Sequence, residues 1–210
     1  MNTLQKQLLK MTRAECKNNK VKLYLGRGKS VRYSPKILTN GYFSPDPDYD
    51  DENPKLYCAI GKPNWELTLV HELNHMRQWI DNCSEWKAYV KVNGNVINEA
   101  LSGKKINNKR FTKNIIVTLL MERDCEKRSY ATLKELKYPQ NKLDEYVQKA
   151  NAYTIFYLDM LHNRKWYVIG QEPYNLKNVW GKFPKTFDVN IDLVYAKVGH
   201  LYKNCVKPGC

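Results

Sequence analysis

The sequence predicts a single α+β domain in which long helices pack around a small mixed or antiparallel sheet. Two observations lead to this fold class. Apolar residues recur at helical spacing over several long stretches, and shorter stretches of strand-like character are separated by Gly, Pro and Asn. At 210 residues with 42% hydrophobic content, the chain has enough apolar side chains for a well-buried core. We therefore expect one domain over residues 1–210, with its core at about 20–162. The residues after 162 form a C-terminal extension whose sequence pattern predicts little about its structure or function.

The individual elements follow from the same patterns. Helices are expected where apolar spacing is helical, at about 3–18, 64–81, 109–137 and 141–162. Asn64 is the expected N-cap of the second of these helices. Strands are expected in stretches rich in β-branched and aromatic residues, namely Val21–Leu25, Val31–Tyr33, Lys55–Ile60, Trp166–Ile169 and Val189–Tyr195. The acidic, proline-broken segment Ser44–Glu52 is expected to be a solvated loop, because it lacks the Gly that a calcium loop requires.

The pentapeptide His71-Glu72-Leu73-Asn74-His75 is the strongest chemical signal in the chain. On a helix, positions i and i+4 lie on one face, so both imidazoles can reach one metal ion. Glu72 projects about 100° away from His71 and can address a metal-bound water without ligating the metal. Apolar residues surround this helix almost completely, and polar side chains buried among them need polar partners or a metal ion.

A catalytic zinc ion needs three protein ligands, and the third has several candidates. Glu122 and Glu126 lie one helical turn apart, just after a strongly apolar run, where a cation would offset the cost of burying an acid. An ordinary surface arrangement with the neighbouring basic residues is the alternative. Other candidates are residues with suitable donor atoms elsewhere in the chain: Cys83, Asp124, His162 and His200.

The HExxH pattern at 71–75, followed on a later helix by Glu122-x-x-x-Glu126, resembles the gluzincin zinc metallopeptidases. The resemblance implies a zincin-like fold, in which the sheet packs on a buried HExxH helix and on a second, Glu-bearing helix. It implies one Zn²⁺ per chain, bound by His71, His75 and Glu122, with Glu72 as the general base and Glu126 as the acid that holds a ligating histidine. Gluzincins often carry Asp where this chain has Glu126, so the order of the two acids stays open.

The resemblance implies a peptidase that hydrolyses peptide bonds of a protein or peptide substrate through a metal-bound water activated by Glu72. Lys55–Ile60 by itself fits either a buried or an edge strand, and the resemblance implies that it is the edge strand against which an extended substrate would pair. Two other functions stay open. One is a structural, virion or host-interaction protein of the same fold with a structural metal, and the other is a basic DNA-associated protease similar to the SprT-like group. The chain is also similar to short HExxH proteins of tailed phages.

The formal charge of +14 suggests nucleic acid as a partner, but the composition offers a simpler explanation. The chain has 27 Lys, 21 Asn and 15 Tyr, which AT-rich codons encode, and only 8 Arg. We therefore do not favour a nucleic-acid partner. The start lacks the apolar run of a secretory signal, and no stretch approaches 18 apolar residues, so no membrane association is expected. The six cysteines form no CxxC pair, which fits a cytoplasmic protein, in a host cytoplasm or a virion if phage-encoded.

Overall fold

The structure, a computed structural model, describes residues 1–34, 37–45, 53–92 and 95–206. Its contacts group into two compact units. The first comprises Met1–Cys83 and Ala131–Tyr138, and the second comprises Ser84–Tyr130 and Pro139–Cys210. Helices dominate the described residues and a small mixed sheet lies in the first unit, so the expected α+β class is confirmed. That the chain forms one domain stays a prediction.

The first unit contains two helices and five short strands. They are α1 (Thr3–Asn18), β1 (Lys22–Gly26), β2 (Val31–Ser34), β3 (Ile37–Thr39), β4 (Gly41–Ser44), β5 (Lys55–Ala59) and α2 (Trp65–Asp81). The two expected helices are confirmed within one residue at each end, and so are the three expected strands, apart from small shifts of their ends. The segment expected to be an acidic loop, residues 44–52, lies outside the described residues from Asp46 onwards.

The three-stranded sheet has the order β1-β5-β4, with β5 parallel to β1 and antiparallel to β4. Strands β2 and β3 form a separate antiparallel pair. Because β5 is paired on both sides, the prediction that Lys55–Ile60 is an edge strand is wrong. The nearly continuous burial of β5 fits its central position, since a central strand covered on its faces needs no alternation of polarity.

Helix α2 packs against β4 and β5 and is buried over most of its surface. Ten of its 17 residues are buried, which confirms the expected burial. The ring of Phe43 lies 5.7 Å from that of Trp79, and the thiol of Cys58 donates to the carbonyl oxygen of Trp65 over 3.7 Å. Asn64 occupies the expected N-cap position, but it has a left-handed backbone conformation (φ 57°) and makes no side-chain cap hydrogen bond, because an N-cap side chain reaches the first turn from extended backbone.

Arg77 ties three parts of the first unit together. Its guanidinium binds both carboxylate oxygens of Glu15 on α1, with Nε 2.9 Å from Oε2 and Nη2 2.5 Å from Oε1. Its Nη1 donates to Oγ1 of Thr132 over 2.7 Å. Such bidentate, charge-assisted bonds have a fixed direction. They hold the second half of α2 in place with respect to α1 and residues 131–138.

The second unit is built mainly of helices. They are α3 (Ser84–Val90), α4 (Asn95–Leu101), α5 (Asn108–Glu135, whose last residues belong to the first unit), α6 (Gln140–Asn163), α7 (Lys177–Trp180) and α8 (Ile191–Val198), with short 3-10 helices at Pro173–Asn175 and Gly199–Asn204. The predictions for α5 and α6 are confirmed within two residues at each end. The short helices α3 and α4 were not expected.

The C-terminal part of the second unit differs from its sequence-based expectation. Most of the strand expected at Val189–Tyr195 is the helix α8, because Asn190 caps it by accepting hydrogen bonds from the backbone nitrogens of Asp192 and Leu193. The strand expected at Trp166–Ile169 is reduced to a single bridge between Tyr167 and Val206. Residues after 162 also supply buried core side chains: Val179, Trp180, Phe183, Val198, Tyr202 and Cys205. Among the described residues, no helix combines the length and apolar character needed to cross a membrane.

Candidate metal centre

The two histidines of the HExxH pattern meet on one face of α2. Their Nε2 atoms are 3.0 Å apart, and their rings are perpendicular, with centroids 4.5 Å apart. His75 is buried and His71 is partly buried. Two ring nitrogens bound to a tetrahedral zinc ion at about 2.0–2.1 Å lie roughly 3.3 Å from each other. The pair therefore has nearly the separation that a shared zinc ion requires.

Gln78 sets the protonation of His75. Nδ1 of His75 lies 2.8 Å from Oε1 of Gln78, and an amide oxygen can only accept a hydrogen bond. We therefore assign the ring proton to Nδ1, which leaves the lone pair of Nε2 directed towards His71. An outer partner of this kind fixes the tautomer and ring orientation of a metal-binding histidine. The donor chemistry and the orientation of the pair thus fit a zinc ion.

Glu72 lies beside the pair, where α2 meets strand β4. Its side chain is 9% exposed. A Cβ atom on Gly41 would lie 3.1 Å from Cγ of Glu72 and 2.8 Å from both Cγ2 of Thr68 and the carbonyl oxygen of Tyr57. Only glycine fits this close approach without displacing its neighbours. The missing side chain of Gly41 lets β4 lie directly against α2 at the level of Glu72.

The thiol of Cys58 is the titratable neighbour of Glu72 on β5. Burial, followed by the negative charges of Glu72 and Glu66, raises the pKa of Cys58 to about 12. The thiol is therefore neutral at physiological pH. Zinc and electrophiles react with the thiolate form, so the neutral thiol of Cys58 acts as a small apolar side chain and has no role as nucleophile or metal ligand.

Glu122 and Glu126 both lie on α5 in the second unit. Glu126 is buried and accepts a hydrogen bond from the hydroxyl of Tyr146. Burial, followed by the charge of Glu126, raises the pKa of Tyr146 well above its usual value, so this hydroxyl remains a donor. Glu122 is partly buried, and its charge contributes to the raised pKa values of Tyr153 and Tyr157 on α6, which burial mainly causes. The roles of the two acids at a metal ion stay predictions that rest on the sequence.

Three of the other candidates for the third ligand, Asp124, His162 and His200, have the following surroundings. Asp124 accepts a hydrogen bond from Nε of Arg128 over 2.7 Å. His162 lies in the last turn of α6 and stacks on the ring of Tyr195 at 5.4 Å. His200 lies in the C-terminal 3-10 helix and is exposed.

Sequence reasoning missed two residues that bear on the site and one further thiol donor on α5. Gln78 follows His75 by three positions, a spacing that places it on the same helix face, but an amide is too common on helices for this signal to stand out. Gly41 is far from α2 in the sequence and carries no local signal. Cys125 is buried on α5, and its i+3 spacing places it on the same face of α5 as Glu122. Its soft thiolate would be a suitable zinc donor.

No family model, curated protein or solved structure matches this chain. The residues of α2 and their contacts are therefore the features of the chain that indicate a function.

Replacing Gln78 with Leu should weaken zinc binding by about 10- to 100-fold, the usual effect of removing the outer partner of a ligating histidine. Leu has a similar size but cannot accept the proton of Nδ1, so His75 loses its preferred tautomer. Competition with a chromophoric chelator measures the affinity. Gln78→Glu is the matched control, because its carboxylate still accepts from Nδ1 and should keep zinc affinity near that of the wild type. Equal affinities in both variants would show that Gln78 has no part in the site.

Proposed function

We propose that this chain is a zinc-dependent peptidase of zincin-like fold that hydrolyses peptide bonds of a protein or peptide substrate. The observation that carries the proposal is the pair of Nε2 atoms of His71 and His75, 3.0 Å apart on one face of α2. Two further features support it. Glu72 lies beside the pair at the contact with the sheet, and Gln78 holds the outer nitrogen of His75.

The residues of the chain have separable tasks in this mechanism. His71 and His75 would hold the metal through Nε2. A bound zinc ion supplies a water of lowered pKa and a positive charge that polarises the scissile carbonyl group. Glu72 accepts the proton of the attacking water and delivers it to the leaving amine, the task of a general base that then becomes a general acid. The burial of Glu72 strengthens its interaction with any charge nearby, since few water molecules screen it.

We assign the third ligand to Glu122, as the resemblance to gluzincins implies, with Glu126 as the acid that holds a histidine. Cys125 is the alternative donor on α5. The central position of β5 removes Lys55–Ile60 as the strand against which substrate pairs.

The proposal is tested by metal content and by reversible loss of activity. The purified chain should contain close to one zinc ion per molecule by mass spectrometry. A chelator should remove both the zinc and the cleavage of casein, and added zinc should restore both. The double variant His71→Ala/His75→Ala should purify without zinc.

Two results would contradict the proposal. Stoichiometric zinc in the double variant would place the metal elsewhere. Zinc that binds through the two histidines without any cleavage of casein or of a peptide library would favour the alternative of a structural metal in an interaction protein.

A further inference from the structure

A row of stacked tyrosines crosses the three-stranded sheet of the first unit. Tyr24, Tyr57 and Tyr42 are direct neighbours in the pairing of β1, β5 and β4. The ring of Tyr57 stacks on that of Tyr24 at 4.5 Å and 9°, and on that of Tyr42 at 4.5 Å and 17°. The ring of Tyr33 on β2 meets Tyr42 edge-on at 5.0 Å. We call these four residues the tyrosine ladder.

The tyrosine ladder lies on the face of the sheet that points away from α2. Side chains alternate between the two faces of a strand. Gly41, Phe43 and Cys58 contact α2, so Tyr42 and Tyr57, which stand between them, point to the other face. Tyr24 shares that face because it pairs with Tyr57. The ladder is therefore separate from the candidate metal centre.

Both ends of the tyrosine ladder are open to solvent. Tyr24 belongs to β1, at the end of the strand order, and is 40% exposed, so the stack ends in a ring with accessible surface. Tyr33, at the other end, is 58% exposed. Cross-strand packing alone would explain the inner rings. It does not explain two large aromatic side chains exposed at the ends of one stack.

The segment that carries Tyr24, Tyr33 and Tyr42 is positively charged, whereas the residues that follow it and lead to β5 include five acids: Asp46, Asp48, Asp50, Asp51 and Glu52. Residues 20–45 contain no Asp or Glu and six basic residues, namely Lys20, Lys22, Arg27, Lys29, Arg32 and Lys36. Arg27, Lys29 and Arg32 are exposed. Two hydrogen bonds hold the backbone around these residues in place. The backbone nitrogen of Gly61 donates to the carbonyl oxygen of Gly28 over 3.1 Å, and the hydroxyl of Tyr42 donates to the carbonyl oxygen of Arg32 over 3.2 Å.

Although the composition alone does not favour a nucleic-acid partner, we propose that the tyrosine ladder is a binding surface for single-stranded nucleic acid. Unpaired bases stack on aromatic rings and their phosphates bind nearby Lys and Arg, which is the general mode of single-strand recognition. A base stacked on the outer face of Tyr24 would extend the stack, and Arg27 and Lys29 follow on the same chain segment for its phosphates. A neutral partner would form no ion pairs with the basic residues of 20–45. The bases of a duplex are already stacked on one another, so their faces could not stack on the tyrosine rings. This inference does not depend on the peptidase proposal.

The test uses the full chain and fluorescently labelled oligothymidine and oligouridine of about 20 nucleotides, with a duplex of the same length. Anisotropy should show binding of one or both single strands, at least about tenfold tighter than binding of the duplex. The two oligonucleotides tell DNA from RNA. Tyr24→Leu should weaken single-strand binding by about 5- to 150-fold, the effect of losing one stacked base, whereas Tyr24→Phe keeps the ring and should bind as the wild type does.

The charge contribution is tested by the salt dependence of binding. Arg27→Ala/Lys29→Ala should reduce the slope of log affinity against log salt by about 1.4, since each phosphate contact to a single strand contributes about 0.7. Lys6→Ala/Lys10→Ala is the matched control, because it removes two exposed cations of the same unit from α1 and should leave the slope unchanged. Thermal unfolding verifies that every variant is folded.

Any of four results would overturn the inference. They are no binding of either single strand at about 100 μM protein, equal affinity for duplex and single strand, equal affinity of the Leu and Phe variants, and equal slope changes in the two double variants. In each case the ladder would be packing that stabilises the sheet.

Discussion

Glu72→Gln should lower the rate of peptide hydrolysis by about 10²- to 10⁴-fold and leave zinc bound. Gln keeps the shape of the side chain next to Gly41, so β4 can still lie against α2. An amide cannot take a proton from the attacking water, and general-base catalysis contributes about this factor. The measurement is the initial rate of casein cleavage, together with the zinc content of the same sample.

Glu66→Gln is the matched control for this prediction. Glu66 is a second buried glutamate on α2, where one of its oxygens accepts a hydrogen bond from the side chain of Gln5 over 3.1 Å. Both substitutions remove one negative charge that acts on Cys58. Only Glu72→Gln should stop hydrolysis. If both variants cleave casein as fast as the wild type, Glu72 is not the general base and the peptidase mechanism fails.

Glu122→Gln should weaken zinc binding by more than about 100-fold, whereas Glu126→Gln should weaken it by about 10- to 100-fold. Loss of a direct ligand removes a metal bond, but loss of an outer partner only loosens one. Gln is preferable to Ala at both positions because it keeps the volume of each side chain. At position 126 it can also still accept the hydrogen bond from Tyr146. Competitive chelator titration gives both affinities.

Two further variants make this comparison decisive. Glu135→Gln, at the exposed end of the same helix, should not change zinc affinity. Cys125→Ser tests the thiolate alternative, and cobalt substitution would reveal a sulfur ligand by its charge-transfer absorption. A larger loss in Glu126→Gln would reverse the two acids. A large loss in Cys125→Ser alone would replace the predicted glutamate by a thiolate.

The helices of this chain could be predicted from sequence because their signals are local. Apolar spacing and Pro139 suffice for α6, and the apolar surroundings of the HExxH pattern predict the burial of α2. Three of the five strands of the first unit were also expected, namely β1, β2 and β5, but β3, β4 and the strand order were not. Strand β5 is central because it pairs with both β1 and β4. The sequence of a strand does not show which distant segments pair with it, so this position could not be predicted.

The candidate site was predictable to a similar extent. The spacing of His71 and His75 predicts their meeting, since one helical turn separates them. The closeness of Gly41 to Glu72 was not predictable, because it joins residues on separate elements. The prediction of a strand at Val189–Tyr195 is wrong for another reason. Short apolar runs fit both strand and helix, and the cap by Asn190 decides for the helix.

Because Cys58 is buried between the sheet and α2, the rate at which a reagent modifies its thiol depends on movements of α2. A thiol reagent must reach the sulfur and find it as thiolate; burial of Cys58 limits access, and a pKa of about 12 limits the thiolate fraction. Cys83, just beyond the end of α2, is only partly buried. Cys16, Cys125 and Cys205 are buried as well, so the rate at which a reagent modifies Cys58 measures separation of the helix from the sheet only in a variant that keeps no other cysteine. The thiol of Cys58, whose pKa the charge of Glu72 helps to raise, would thus report such a separation without knowledge of the substrate.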